Sequence, residues 1–189
     1  MDHHRIKCYQ VNLHHSRVAT NNLVQLINEH RIDIIFIQEP YTINNKMVGI
    51  SNLLRTYTCG NGRKRAAIII NNKDINAIAI NQISDRDCVV TEMIYNGAKF
   101  IGASVYFDGE EDIEEDLRKV EQILDYAKGN RLMILADTNA RSKLWYDTIN
   151  NERGKILEEF LTVKSLHIII NENKDVPTFE TIRGRFNNI

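Results

Sequence analysis

Asn12, Glu39, Tyr106 and Asp137 stand at or just beyond the ends of mostly apolar runs, and Asn139 follows two positions after the last of them. Strand ends are where α/β and mixed folds gather a site from distant segments. Two carboxylates and two amides, with no histidine or cysteine cluster nearby in sequence, make a hard, oxygen-rich donor set. Such a set suits Mg2+ or Mn2+ better than zinc, and a cation held that way typically serves phosphate chemistry. Taken singly, each residue has a plainer reading. Asn12 can be a turn former and Glu39 the polar end of a strand before Pro40. Tyr106 can fill a pleated surface, and Asp137 with Asn139 can cap a helix. The chemical reading rests on their joint order.

The elements that would position them can be read from periodicity. Arg5 to Leu13 predicts a strand; Ala19, Leu23, Leu26 and Ile27 have helical spacing behind a Ser16 N-cap, and Asp33 to Gln38 is a second strand, apolar enough to be buried on both faces. Strand patterns follow at Ala66 to Asn71, Ile75 to Ile83, Cys88 to Tyr95 and Lys99 to Phe107, with Asn96-Gly97 as a hairpin signal, so this region is expected to be an antiparallel meander. Asp108 and Glu111 resemble a capping box ahead of a helix carrying Ile113, Leu117, Val120, Leu124 and Ala127 up to Gly129. Leu132 to Ala136 predicts a buried strand, Glu152 to Ser165 a helix, and His167 to Ile170 a last strand. The acidic run from Asp108 to Asp116 is read as a solvated first helical turn rather than a second metal site.

Composition limits the class. A chain of 189 residues with 43% hydrophobic and 26% charged content can bury a core, which excludes collagenous, disordered and disulfide-stapled classes. The apolar runs fall far short of the roughly 20 residues of a spanning helix, so no membrane partner is expected. Met1 to Arg5 is polar and offers no signal-peptide core, which predicts an intracellular protein. Cys8, Cys59 and Cys88 lack metal-ligand spacing and read as free thiols. A net charge of −1 argues against a wholly basic surface. Local basic clusters remain at Arg63 to Arg65, at Arg141 with Lys143, and at Arg183 with Arg185. Trp145 can stack on a base or pack in the interior, and His167, opening an apolar stretch, is read as structural.

Four short motifs carry a resemblance. QVNL at Gln10 to Leu13, QEP at Gln38 to Pro40, SVYF at Ser104 to Phe107 and ADTN at Ala136 to Asn139 stand in the order and spacing of the endonuclease/exonuclease/phosphatase family. That family comprises Mg2+-dependent phosphodiesterases and includes apurinic endonucleases and DNase I. Within it, ADTNARSKLW from Ala136, RGKILEEFL from Arg153 and PTFET from Pro177 resemble the endonuclease domain of non-LTR retrotransposons. The likeness covers essentially the whole chain.

The resemblance implies an α/β (α+β) fold: a four-layer, DNase I-like sandwich of two mixed β-sheets flanked by helices, formed by residues 1–189 as a single domain and lacking the last strands. It implies Glu39 as principal ligand of Mg2+ (or Mn2+) with Asn12 close by. Asp137 would orient or activate water, and Asn139 and Tyr106 would bind the phosphate. Thr178, Arg141 and Trp145 are the substrate-binding candidates. DNA is the implied substrate, nicked to leave a 3′-hydroxyl that primes reverse transcription. A reverse transcriptase domain is then expected in the same parent polyprotein, and a nuclear location if host chromosomal DNA is the target. The chain departs from the pattern after PTFET. It ends at Ile189 without the I-D-x-x-L and S-D-H motifs, so an impaired nuclease is expected. Two alternatives stand beside this: a non-catalytic fragment of a decayed element with at most DNA- or protein-binding activity, and an abasic-site repair endonuclease.

Overall fold

Alternation of side chains along two strands explains the layering. β1 (Cys8–Asn12) and β2 (Ile34–Gln38) run parallel, and β6 (Ala66–Ile70) runs antiparallel to β2. Ile35, Ile37, Ala67 and Ile69 point to one core, with Leu13, Leu23 and Ile27, while Ile34, Phe36, Ala66, Ile68 and Ile70 point to the other, with Val89 and Met93. That is the period of two expected of a strand covered on both sides. A fully buried Ile contributes roughly 1.5–3 kcal/mol relative to an exposed one, which fixes the register firmly, since a one-residue slip would exchange the faces.

The computed structural model describes residues 5–169 and the backbone of strands Phe179–Thr181 and Gly184–Phe186. It divides into two compact units, residues 1–106 with 121–136, and residues 107–120 with 137–189.

In the first unit, α1 (Arg17–His30) connects β1 to β2. Its Ser16 cap accepts the Ala19 N–H at 3.2 Å, as the sequence predicts. The first sheet has the order β1-β2-β6-β5, with β5 (Arg55–Tyr57) at its edge, and a small hairpin of β3 (Thr42–Ile43) and β4 (Lys46–Met47) follows β2. The second sheet has the order β10-β9-β8-β7, formed by β7 (Asn76–Ala79), β8 (Cys88–Tyr95), β9 (Ala98–Tyr106) and β10 (Arg131–Asp137). The two sheets pack face to face, and Gly102 lets them approach: a Cβ there would lie 2.5 Å from Met93 Cε and 3.0 Å from the Phe36 ring. α1 covers the first sheet. The end of α2 (Ile113–Ala127) lies against the second, where the Tyr126 hydroxyl donates to Glu92. The result is the expected four-layer α/β sandwich.

The second unit contains the start of α2, a short 3-10 turn at Lys143–Trp145, and α3 (Glu152–Val163), capped by the Asn151 side chain. β11 (Phe179–Thr181) and β12 (Gly184–Phe186) pair antiparallel. Among the described residues, no helix is long and apolar enough to cross a membrane.

Some local expectations are corrected. The predicted meander divides between the sheets, β6 joining the first and β7 to β9 the second. The strand from Ile75 stops at Ala79, and Asn81–Ile83 is a 3-10 turn. The carboxylate that receives the Glu114 N–H at the start of α2 is Asp112, whereas Asp108 closes a separate turn on Glu110 and Glu111. Residues 167–169 are not a strand, and Ile169 is exposed.

Candidate active site

The two parallel strands β1 and β2 end side by side, with Asn12 registered on Gln38 and Glu39 the next residue on. Glu39 adopts a left-handed backbone (φ 48°), uncommon for a residue other than glycine. It is held on both sides: its N–H donates to Arg65 O at 2.8 Å and its carbonyl accepts the His15 N–H at 2.8 Å. Asn12 Oδ1 accepts the His14 N–H at 2.7 Å, closing a turn in which His14 and His15 are also left-handed. That turn brings both imidazoles to the Glu39 carboxylate: His14 Nδ1 lies 3.3 Å from Oε2 and His15 Nε2 lies 3.3 Å from Oε1. His15 Nδ1 is 3.0 Å from Pro40 O. The set taken as free of histidine is therefore flanked by two, and the signal for them was the His-His pair directly after QVNL.

Behind these residues, the remaining letters of the motifs form a polar bridge. Gln38 is fully buried and donates to Ser104 Oγ at 3.0 Å and Leu135 O at 3.2 Å. Ser104 donates in turn to Ile37 O at 2.9 Å, and Gln10 donates to Ala136 O at 2.8 Å and Gln38 Oε1 at 3.3 Å. Buried amides and hydroxyls are costly unless paired. Their mutual pairing ties β1, β2, β9 and β10 together just below the strand ends.

Tyr106 ends β9, half-buried, with its N–H on Asp87 O at 2.8 Å. The Arg65 guanidinium lies 5.0 Å from its ring centroid, within cation–π range. Arg65 is gripped in a two-bonded fork by Asp87, Nε to Oδ1 at 2.5 Å and Nη2 to Oδ2 at 2.7 Å.

In the second unit, Asp137 ends β10 and the left-handed Asn139 (φ 47°) turns the chain. Asn139 N–H points at Asp137 Oδ1 at 3.4 Å, and its Nδ2 donates to Phe107 O at 2.8 Å, which commits one amide hydrogen. The Phe107 N–H donates to Asp137 O at 2.9 Å. Arg153 underpins this loop by donating to Thr138 O at 3.4 Å and Glu111 O at 2.6 Å.

Two of the substrate-binding candidates, Trp145 and Arg141, have partners within this unit. Trp145 is 2% exposed and its indole N–H donates to Ala140 O at 3.2 Å, so it is a core residue with no face open to a base; the exposed apolar neighbours are Leu144 and Tyr146. The Arg141 guanidinium is engaged by Asp147 at 3.0 and 2.8 Å and by Thr148 at 3.3 Å, an intramolecular fork at the surface. Burial pushes the Asp147 carboxyl up. Hydrogen bonds from Arg141 and from the Ile149 and Thr148 N–H groups outweigh that and hold it below the usual range. Thr178 lies outside the described residues, as does Arg183 of the third basic cluster.

Among the described residues, no three His, Cys, Asp or Glu side chains converge as a closed metal cage. The donors present fit a sparser mode, because Mg2+ is commonly held by one or two carboxylates plus waters and substrate phosphates. Glu39 with the Asn12 amide has that character. Imidazole nitrogens beside the carboxylate would make Mn2+ at least as good an occupant as Mg2+.

The family described as endonuclease-reverse transcriptase matches residues 100–188. Among solved structures, the endonuclease domain of TRAS1, a telomere-specific non-LTR retrotransposon, is 27% identical, with a TM-score of 0.85 over 98% of this chain and 82% of that one. An endonuclease/exonuclease/phosphatase family protein from Leptotrichia buccalis (14% identity, TM-score 0.56, covering 97% of this chain and 86% of that one) shares the fold. So does an AP endonuclease from Archaeoglobus fulgidus (14% identity, TM-score 0.55, covering 84% and 71%). No curated protein sequence matches. The fold is thus that of the DNase I-like phosphodiesterases, as the motifs predict. Within that class, the chain is similar to the endonuclease domain of a non-LTR retrotransposon.

Proposed function

We propose that the chain is a divalent-metal-dependent endonuclease that nicks DNA, acting as the endonuclease part of a non-LTR retrotransposon protein. The observation that carries this reading is the Glu39 turn: a carboxylate in a left-handed backbone, held from both sides at the end of a central strand beside Asn12. It occurs in a chain 27% identical to the TRAS1 endonuclease domain.

Attack of water on a phosphodiester builds negative charge on the phosphoryl oxygens. Catalysis therefore consists mainly of placing the nucleophile and supplying fixed positive charge and donors. Glu39 and Asn12 would hold Mg2+ or Mn2+, which supplies that charge when bound. Asp137 takes a proton from the attacking water as its oxygen bonds to phosphorus. The remaining Asn139 amide hydrogen and the Tyr106 hydroxyl donate to the non-bridging oxygens. The bond to the 3′ oxygen breaks, and that oxygen takes a proton from solvent water, leaving a 3′-hydroxyl and a 5′-phosphate. Such a 3′-hydroxyl is what a reverse transcriptase needs as primer. The description of the matching family supports such a domain in the same polyprotein; if host chromosomal DNA is the target, the work is done in the nucleus.

The test is conversion of supercoiled plasmid to open circle with Mg2+ or Mn2+. Nicking by the natural sequence is expected to be slow, to fall by a further factor of about 10² to 10⁴ in Asp137→Ala, and to be lost in Glu39→Gln and in EDTA. Equal nicking by all three proteins would refute these roles, and no nicking by the natural sequence would refute the function.

A further inference from the structure

We propose that Arg65, held by Asp87, is a positioning residue that fixes the ring of Tyr106 and the backbone of Glu39 at once. This inference rests on the proposed nuclease reading for its consequence in catalysis. Its physical content stands on contacts alone.

Arg65 was expected to belong to a surface cluster with Arg63 and Lys64. Instead its side chain is only 16% exposed and that of Asp87 only 8%. The guanidinium is planar, and Asp87 engages one edge of it through two nitrogens. That fork fixes the guanidinium, whose Cζ lies over the Tyr106 ring, 5.0 Å from its centroid. Asp87 also takes the Tyr106 N–H on its own carbonyl, so one residue fixes both the backbone of Tyr106 and the cation beneath its ring. The Asp87 and Cys88 N–H groups donate to Asp85 Oδ1 at 2.7 and 2.8 Å, which makes the support itself rigid. At the other end, the Arg65 carbonyl accepts the Glu39 N–H, while its own N–H donates to Arg86 O at 2.7 Å. Arg65 is therefore the covalent link between the turn that presents the Glu39 carboxylate and the platform under the Tyr106 ring. A lysine would keep the charge and lose both the fork and the flat face.

The experiment incorporates 3-fluorotyrosine throughout and reads the ¹⁹F spectrum, assigning Tyr106 by its loss in Tyr106→Phe. The other six tyrosines report whether the fold is intact. Arg65→Lys is expected to shift and broaden the Tyr106 resonance and leave the others in place, and Asp87→Asn is expected to do the same. A Tyr106 resonance unchanged in either folded variant overturns the proposal. In parallel, nicking kinetics are expected to show a kcat loss of about 10- to 100-fold in Arg65→Lys, with KM nearly unchanged. A further loss of less than about twofold is expected in a Tyr106→Phe background, because coupled residues do not add. Full additivity there would also overturn it. If the natural sequence does not nick DNA, the nuclease reading fails, while the fluorine spectrum still decides the role of Arg65.

Discussion

Glu39 combines a left-handed backbone at its own position with an imidazole against each carboxylate oxygen. Non-glycine residues in left-handed conformations persist where the surroundings over-determine them, and they gather at functional sites. A cation that binds only the folded protein stabilises it by mass action. At a hundredfold excess of Mn2+ over its Kd, the melting temperature should therefore rise by roughly 5–10 °C. Glu39→Gln should remove most of that rise, and an equal rise in both proteins would place the cation elsewhere. Asp147 gives a second prediction, for acid. Its folded-state carboxyl is held below its usual value of 3.8, so the stability it confers is full above that value and is lost as pH falls through the lower, folded one. Melting curves taken from pH 6 down to about pH 2 should show a shallower acid decline in Asp147→Asn than in the natural sequence. At this scale motif order singled out Asn12, Glu39, Tyr106, Asp137 and Asn139 as candidates. It hid the partners of Arg65, Arg141 and Trp145, because an arginine or a tryptophan looks the same in sequence whether it is paired, buried or open.

Among the elements, β2 and β6 were readable because their unbroken apolar runs admit one arrangement, burial between two layers. The short strands β3, β4 and β5 were not, since two or three residues carry no period. The division of the meander between two sheets escaped for a related reason: alternation reports that a strand has two faces, not which neighbour it pairs with. Gly102 shows how a single position sets sheet spacing. Gly102→Ala should cost about 1–3 kcal/mol by overpacking, measured by urea unfolding, and Gly102→Ala with Met93→Ala should cost less than the sum of the two single losses, because the second change frees the space now filled by Met93 Cε. Unchanged stability in the single variant would mean that the sheets separate easily. The N-terminus of α3 is equally specific, because Asn151 Oδ1 accepts both the Gly154 and the Arg141 N–H groups, at 2.8 and 2.9 Å. Asn151→Ala should lower stability by about 0.5–2 kcal/mol, and a loss no larger than that of an exposed surface substitution would contradict its capping role.

For the whole molecule, the family resemblance carried by motif order led to the sandwich. Composition alone went no further than one globular class, because a net charge of −1 describes many unrelated chains. Charge still bears on how DNA would be held. Arg65 and Arg141, one from each of two basic clusters, are committed to Asp87 and Asp147, which thins those clusters. The slope of log affinity against log salt should be shallow, about −2 to −5, and a slope near −10 would contradict binding through a few local phosphate contacts. The central claim, that this fold cuts one DNA strand and leaves an end that can prime synthesis, is tested most directly by the chemistry of the nick. Plasmid nicked in Mg2+ or Mn2+ is offered to a DNA polymerase with labelled nucleotides and no other treatment. The account predicts label incorporated at the nicks without prior phosphatase, and none when Asp137→Ala replaces the natural sequence. Nicks that accept label only after a 3′-phosphatase step, or intact plasmid throughout, would contradict it.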